Sequence, residues 1–122
     1  MTTIQTSLDL LVEPFRAQIR GLLAEAMERR VYFVVTETNR TYERQKVLFD
    51  EAKSRTMRSN HLIGRAVDIA PVVNFSDGIV HELTWSKTHP AWKALGDLAE
   101  KWGVEWGGRW TSFPDYPHLE AR

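Results

Sequence analysis

Ser59-Asn60-His61-Leu62-Ile63-Gly64-Arg65-Ala66-Val67-Asp68-Ile69-Ala70-Pro71 is the stretch from which the fold of this chain can be read. Ile63, Ala66, Val67, Ile69 and Ala70, with Val72 beyond them, are interrupted by Gly64 and stop near Pro71. That is the pattern of a strand entered through a tight glycine turn. Across the turn stand the imidazole of His61 and the carboxylate of Asp68, seven residues apart. Both are donors suited to zinc, and a second imidazole would complete a three-ligand set with one coordination position open to water. An open position marks a catalytic rather than a structural zinc site.

Upstream, Phe15, Ile19, Leu22, Leu23, Ala26 and Met27 recur at three- and four-residue steps, predicting an amphipathic helix from Pro14 to Arg30, with a short helical turn ahead of it at Ser7-Leu8-Asp9-Leu10. Val31-Tyr32-Phe33-Val34-Val35-Thr36 is apolar without strict alternation, so a central strand covered on both faces is expected. Thr41 can cap a second helix, Tyr42 to Ala52, with Val47, Leu48 and Ala52 as its apolar members, before a polar, basic loop from Lys53 to Asn60. Downstream, Asp77-Gly78 predicts a hairpin, and Pro90 opens a third helix that runs to Trp102 and stops at Gly103. Val104-Glu105-Trp106 and Tyr116 to Glu120 read as short strands around a Gly107-Gly108 turn. The expected fold class is α+β: one small domain over residues 1–122, a central antiparallel sheet with about three helices.

A chain of 122 residues with 43% apolar composition has room for one core. Sixteen Lys and Arg balance sixteen Asp and Glu, so no global field draws the protein to nucleic acid or an anionic membrane, and neither partner is expected. Without cysteine there is no disulfide, no thiolate zinc site and no thiol nucleophile, which leaves the compartment open. The opening MTTIQTSLDLLV lacks a basic n-region, so no signal peptide and cytoplasmic synthesis are expected. No apolar run reaches the ~18 residues of a membrane span, and a monomer without stable membrane association is the expectation.

Of the four histidines, His118 is the best candidate third ligand. His89 precedes Pro90 at a helix start and His81 ends the hairpin strand, positions of ordinary capping or surface residues. Taken alone, the His61–Asp68 spacing favours a structural histidine. Asp115, three residues before His118, has two readings: a general base beside a metal-activated water, or a turn-forming residue in Phe113-Pro114-Asp115-Tyr116-Pro117. Arg40, in the loop after the first strand, suits either a substrate carboxylate or oxyanion, or a surface ion pair. Ser59 either contacts a ligand or ends its loop. Trp85, Trp106 and Trp110 are candidates to wall a cleft, burial in the core being the alternative.

Together these pieces resemble the VanY-like D-Ala-D-Ala carboxypeptidase and L-alanyl-D-glutamate endopeptidase family, which shares a zinc fold with the hedgehog signalling domain. Thr36-Glu37-Thr38-Asn39-Arg40-Thr41-Tyr42-Glu43-Arg44-Gln45 looks like the family's strand-loop-helix with its arginine. Ser59-x-His61-x-x-Gly64-x-Ala66-x-Asp68 looks like its metal motif, and Glu105-Trp106-Gly107-Gly108-Arg109-Trp110 followed by Asp115-x-x-His118 like its C-terminal pair. The resemblance implies Zn2+ held by His61, Asp68 and His118, Asp115 as catalytic base and Arg40 as the carbonyl-polarising or substrate-binding arginine; Ser59, Trp106 and Arg109 are candidate substrate contacts. At Arg109 the sequence departs from phage members, which often carry Asp there, so the charge at that edge of the cleft differs.

The implied activity is hydrolysis of the L-Ala–D-Glu bond in the peptidoglycan stem peptide, by a compact endolysin without a wall-binding domain that reaches the wall after holin-type release. Two alternatives remain at this point: a D,D-carboxypeptidase or dipeptidase acting on D-Ala-D-Ala termini, and a non-catalytic module that binds wall peptide or a protein partner.

Overall fold

In the computed structural model, residues 3–54 and 56–122 are described. Helix α1, Phe15–Glu28, lies against helix α3, Ala91–Trp102. Phe15, Ile19, Leu22 and Ala26 fall on one face of α1 and are all buried, as helical periodicity requires. From α3, Trp92, Leu95, Leu98 and Ala99 enter the same core. Ahead of α1, Leu8–Leu10 forms a short 3-10 helix capped by the Ser7 hydroxyl, which accepts from the Asp9 amide.

Against these helices packs an antiparallel sheet of five strands: β1, Phe33–Glu37; β2, Ala66–Ser76; β3, Ile79–Leu83; β4, Val104–Trp106; and β5, His118–Ala121. Their order is β1-β2-β5-β4, with β3 also paired to β2. The central strand is therefore β2, and among the described residues β1 is an edge strand paired only with β2, contrary to the sequence expectation. The apolar run of β1 has a different origin. Val31, Phe33 and Val35 pack on the core, while Tyr32 on the opposite face stacks on Phe75 of the β2–β3 hairpin at 6.2 Å.

Nor does β2 stop at Pro71, which pairs with Phe33 and sits mid-strand. Pro71 lies where the partner along one edge changes: pairing with β5 ends at Asp68, and pairing with β3 begins at Val72. An amide hydrogen has no acceptor to meet in that gap, so proline costs the ladder nothing. Asp77 and Gly78 close the hairpin with φ of 54° and 75°, the two left-handed positions of a type I′ turn.

Helix α2, Tyr42–Asp50, departs further from expectation. Thr41 caps it, its hydroxyl accepting from the Arg44 amide at 3.1 Å. Yet its buried residue is Gln45, while Val47 and Phe49 stay exposed and Ala52 lies beyond its end. Gln45 accepts from Arg40 at 2.8 Å and donates to the Ser54 hydroxyl and the Thr56 carbonyl. Polar contacts, not an apolar stripe, hold α2 in place. Among the described residues, no helix is long and apolar enough to cross a membrane.

Candidate metal centre

Strand pairing places the first two donors: in the β2–β5 ladder Asp68 is the direct partner of His118. The third comes from a 3-10 helix, Asn60–Ile63, capped by Ser59, whose hydroxyl accepts from the His61 amide at 3.1 Å. Gly64 closes that helix at φ +70°, where a Cβ would lie 2.7 Å from the Leu10 carbonyl oxygen. Only glycine fits there without strain. The reversal brings His61 back over the start of β2, with its Nε2 at 3.2 Å from Asp68 Oδ1.

His118 Nδ1 lies 3.2 Å from the same oxygen, and one donor atom from each of His61, Asp68 and His118 falls within 4.8 Å of the others. Two donors on one tetrahedral zinc, each bonded at about 2.0–2.2 Å, stand ~3.3 Å apart. The observed spacing fits such an ion. Each imidazole also has a partner on its outer nitrogen: His61 Nδ1 meets the Thr38 carbonyl at 2.7 Å, and His118 Nε2 meets Glu120 at 2.8 Å.

Charges in this cluster push protons in opposite directions. Burial would raise the Asp68 carboxyl, but hydrogen bonds from His118 and His61 and their nearby charge outweigh it and hold Asp68 well below the usual carboxylate range. Burial likewise opposes charge on His118, yet hydrogen bonds to Asp68 and Glu120 push it up to about 9. Asp115 goes the other way from Asp68. Its own burial, then the Asp68 charge, raise its carboxyl above the ordinary value, against the pull of His118, His61 and Arg40. Two acids at one site with pKa values pushed apart are a signature of divided chemical roles.

Arg40 is buried with its guanidinium fully committed on one side: Nη1 donates to Gln45 at 2.8 Å and Nη2 to Glu37 at 2.8 Å. The same Nη2 is 3.7 Å from Asp68 Oδ2, and the Arg40 amide donates to the His61 carbonyl at 2.8 Å. Above the donors opens a cleft of about 550 Å3, also lined by Ser59 and Asp115. Arg44, Lys53 and Arg58 stand on its α2 side, while Trp110 and Phe113 come from the C-terminal segment. Trp110 packs 5.3 Å from the His118 ring.

Two residues expected at the substrate are elsewhere. Trp106 donates its indole N–H to the Tyr116 carbonyl at 2.7 Å and packs edge-on to the Tyr116 ring, outside the cleft lining. Arg109 points to α3, pairing with Glu100 at 3.3 Å and reaching Asp97 at 4.0 Å. Gly107–Arg109 forms a short 3-10 turn, and this rotation presents Trp110 rather than Trp106 to His118. Trp85 is exposed and away from the cleft. His89 caps α3, Nδ1 accepting from the Ala91 amide at 3.1 Å, and His81 is exposed on β3.

Glu120 is not singled out in the sequence, and Gly107 is read there only as part of a Gly107-Gly108 turn and its motif. Glu120 has a legible signal, since two residues beyond His118 on a strand it shares the same face. The close packing at Gly107 has none: a Cβ there would meet the Asp115 carbonyl oxygen at 2.5 Å and His118 Cβ at 3.3 Å, contacts that exist only in the folded chain.

A His-Asp-His cluster at the foot of a cleft, two of its members on paired strands and one on a 3-10 helix, with a second carboxylate beside it, defines a candidate metallopeptidase centre. The family described as D-alanyl-D-alanine carboxypeptidase, of the M15 peptidases, matches residues 52–121, and the chain belongs to that family. It is 32% identical to the L-alanyl-D-glutamate peptidase of Listeria phage A118 over 90% of this chain and 37% of that protein. It is 30% identical to the peptidoglycan L-alanyl-D-glutamate endopeptidase CwlK of Bacillus subtilis strain 168, over 82% of this chain and 66% of that protein. The chain thus spans between about a third and two thirds of these relatives. The crystal structure of the Serratia marcescens L-Ala D-Glu endopeptidase ChiX is similar in fold, with a TM-score of 0.76 and 26% identity over 94% of this chain and 83% of that one.

Proposed function

We propose that this chain is a zinc endopeptidase that hydrolyses the L-Ala–D-Glu bond of the peptidoglycan stem peptide, acting at the cell wall. The observation that carries the reading is the convergence of His61, Asp68 and His118 on one point beside Asp115, whose carboxyl is raised while that of Asp68 is lowered. The names of the similar Listeria phage, Bacillus and Serratia enzymes support the choice of bond.

The donor set favours zinc: two neutral imidazoles and one carboxylate suit a borderline ion, and three protein ligands leave a place for water. Held there, zinc would supply a Lewis acid for the scissile carbonyl and lower the pKa of a bound water toward ~7. Asp115, with its raised carboxyl, takes the proton of the attacking water and returns it to the leaving amine. Arg40, fixed by Glu37 and Gln45, directs positive charge to the oxyanion that develops on the carbonyl. Trp110 and Ser59 border the cleft where the peptide lies.

A second reading, release of a terminal D-Ala, is favoured by the basic side of the cleft, where Arg44, Lys53 and Arg58 suit a free carboxylate. Digestion of purified peptidoglycan, with and without chelator, separates the readings by mass spectrometry of the new termini. Free N-terminal D-Glu that disappears with chelator supports the endopeptidase; free D-Ala would replace it by the carboxypeptidase. Wall binding without new termini would make the chain a binding module.

A further inference from the structure

The outer partners of the two imidazoles differ in kind. His61 presents Nδ1 to a neutral backbone carbonyl, that of Thr38 at 2.7 Å, whereas His118 presents Nε2 to the Glu120 carboxylate at 2.8 Å. A neutral imidazole has one N–H, and its position decides which nitrogen keeps a lone pair for a metal. We propose that Glu120 is a positioning residue for the metal: by accepting the Nε2–H of His118 it fixes the tautomer in which Nδ1 faces Asp68 and His61. This rests on reading His61, Asp68 and His118 as metal ligands.

The fold holds Glu120 to this task. Residues 118 and 120 share a face of β5, while Leu119 between them is buried on the other. In the sheet Glu120 pairs with Ala66 of β2 on one side and Glu105 of β4 on the other, so its backbone is fixed from both edges. Asn60, the residue before His61, lines the same cleft as Glu120. Glu120 contacts the ring nitrogen remote from Asp68, so it stands behind the imidazole rather than among the donors.

Loss of such a partner lowers metal affinity by about 10–100-fold. The test is zinc affinity, by competition with a chromophoric chelator, for the unaltered chain, Glu120→Gln and Glu120→Ala, with 15N spectra of the His118 ring. The expected result is a loss of about 10–100-fold for Glu120→Ala, a smaller loss for Glu120→Gln, which keeps an acceptor oxygen, and a protonated Nε2 in the zinc-loaded unaltered chain. Glu120→Ala binding zinc as tightly as the unaltered chain, or a zinc-loaded His118 protonated at Nδ1, overturns the proposal while leaving the ligand assignment intact. Failure of the unaltered chain to bind zinc overturns the ligand assignment itself. If Glu120→Ala does not fold, the Gln variant and the spectrum of the unaltered chain decide.

Discussion

Asp68 and His118 are direct partners across the β2–β5 ladder, and Asp68 Oδ1 lies 3.2 Å from His118 Nδ1. Without an ion the pair is a salt bridge when His118 is protonated; with one, the same two atoms become ligands. Proton and metal therefore compete for His118.

For the metal-free protein the sign follows from the two shifts. His118, raised from 6.5 to about 9, contributes stability that is complete below pH 6.5 and lost as pH rises through 9. Asp68, lowered from 3.8, contributes stability present above that value and lost only in stronger acid. Thermal melts of the metal-free protein should show Tm falling between pH 6.5 and 9. Zinc affinity should rise over the same window, with proton release visible as a dependence of titration heat on the buffer. A flat affinity from pH 6.5 to 9 contradicts this account.

Asp115→Asn keeps the size of the side chain but cannot take a proton. Hydrolysis of peptidoglycan should fall by about 10^2–10^4-fold, with zinc stoichiometry and Tm unchanged. Turnover within a few-fold of the original removes Asp115 from the reaction.

Gly107→Ala places a methyl 2.5 Å from the Asp115 carbonyl oxygen and 3.3 Å from His118 Cβ. The backbone oxygen cannot turn aside as a flexible side chain would, so the segment carrying both residues must move. A stability loss of about 1–3 kcal/mol in urea unfolding is expected, accompanied by weaker zinc binding. Unchanged stability would show that the segment yields freely.

Arg109→Ala and Trp110→Ala should part company. Arg109 makes half-exposed ion pairs with α3, worth about 0–1 kcal/mol, so its loss should leave turnover and KM nearly unchanged. Trp110 packs on His118 at the cleft, and its loss should raise KM. A large effect of Arg109→Ala on KM would return that residue to the substrate.

Local signals in the sequence were those a single segment can carry. The glycine turn before β2, the periodicity of α1 and α3, and the Asp77-Gly78 hairpin each depend on neighbours within a few residues. The spacing of His61 and Asp68 spans one turn but decides nothing alone; the ligand set is legible only through the resemblance of three ordered motifs. Misreadings arose where the deciding partner is remote. The apolar run of β1 looks two-sided because Tyr32 meets Phe75, and nothing in β1 announces that. In α2 the helical spacing of Val47 and Leu48 is real, but Gln45 is the residue that goes inside, drawn by Arg40, Ser54 and Thr56. Trp106 and Trp110 are equally aromatic, and only the turn between them decides which faces His118.

The attachment of α2 has a consequence for motion. Asp68 and His118 stand on a sheet seated on buried hydrocarbon, whereas the helix bordering the cleft is tethered by polar contacts of Gln45 and the Arg44–Glu37 ion pair. Openings of that helix should be frequent and cheap compared with those of the strands, and its amides should exchange with deuterium long before those of β2. Under the proposed function, a bulky cross-linked polymer would be admitted by displacing one flank while His61, Asp68 and His118 keep their registration.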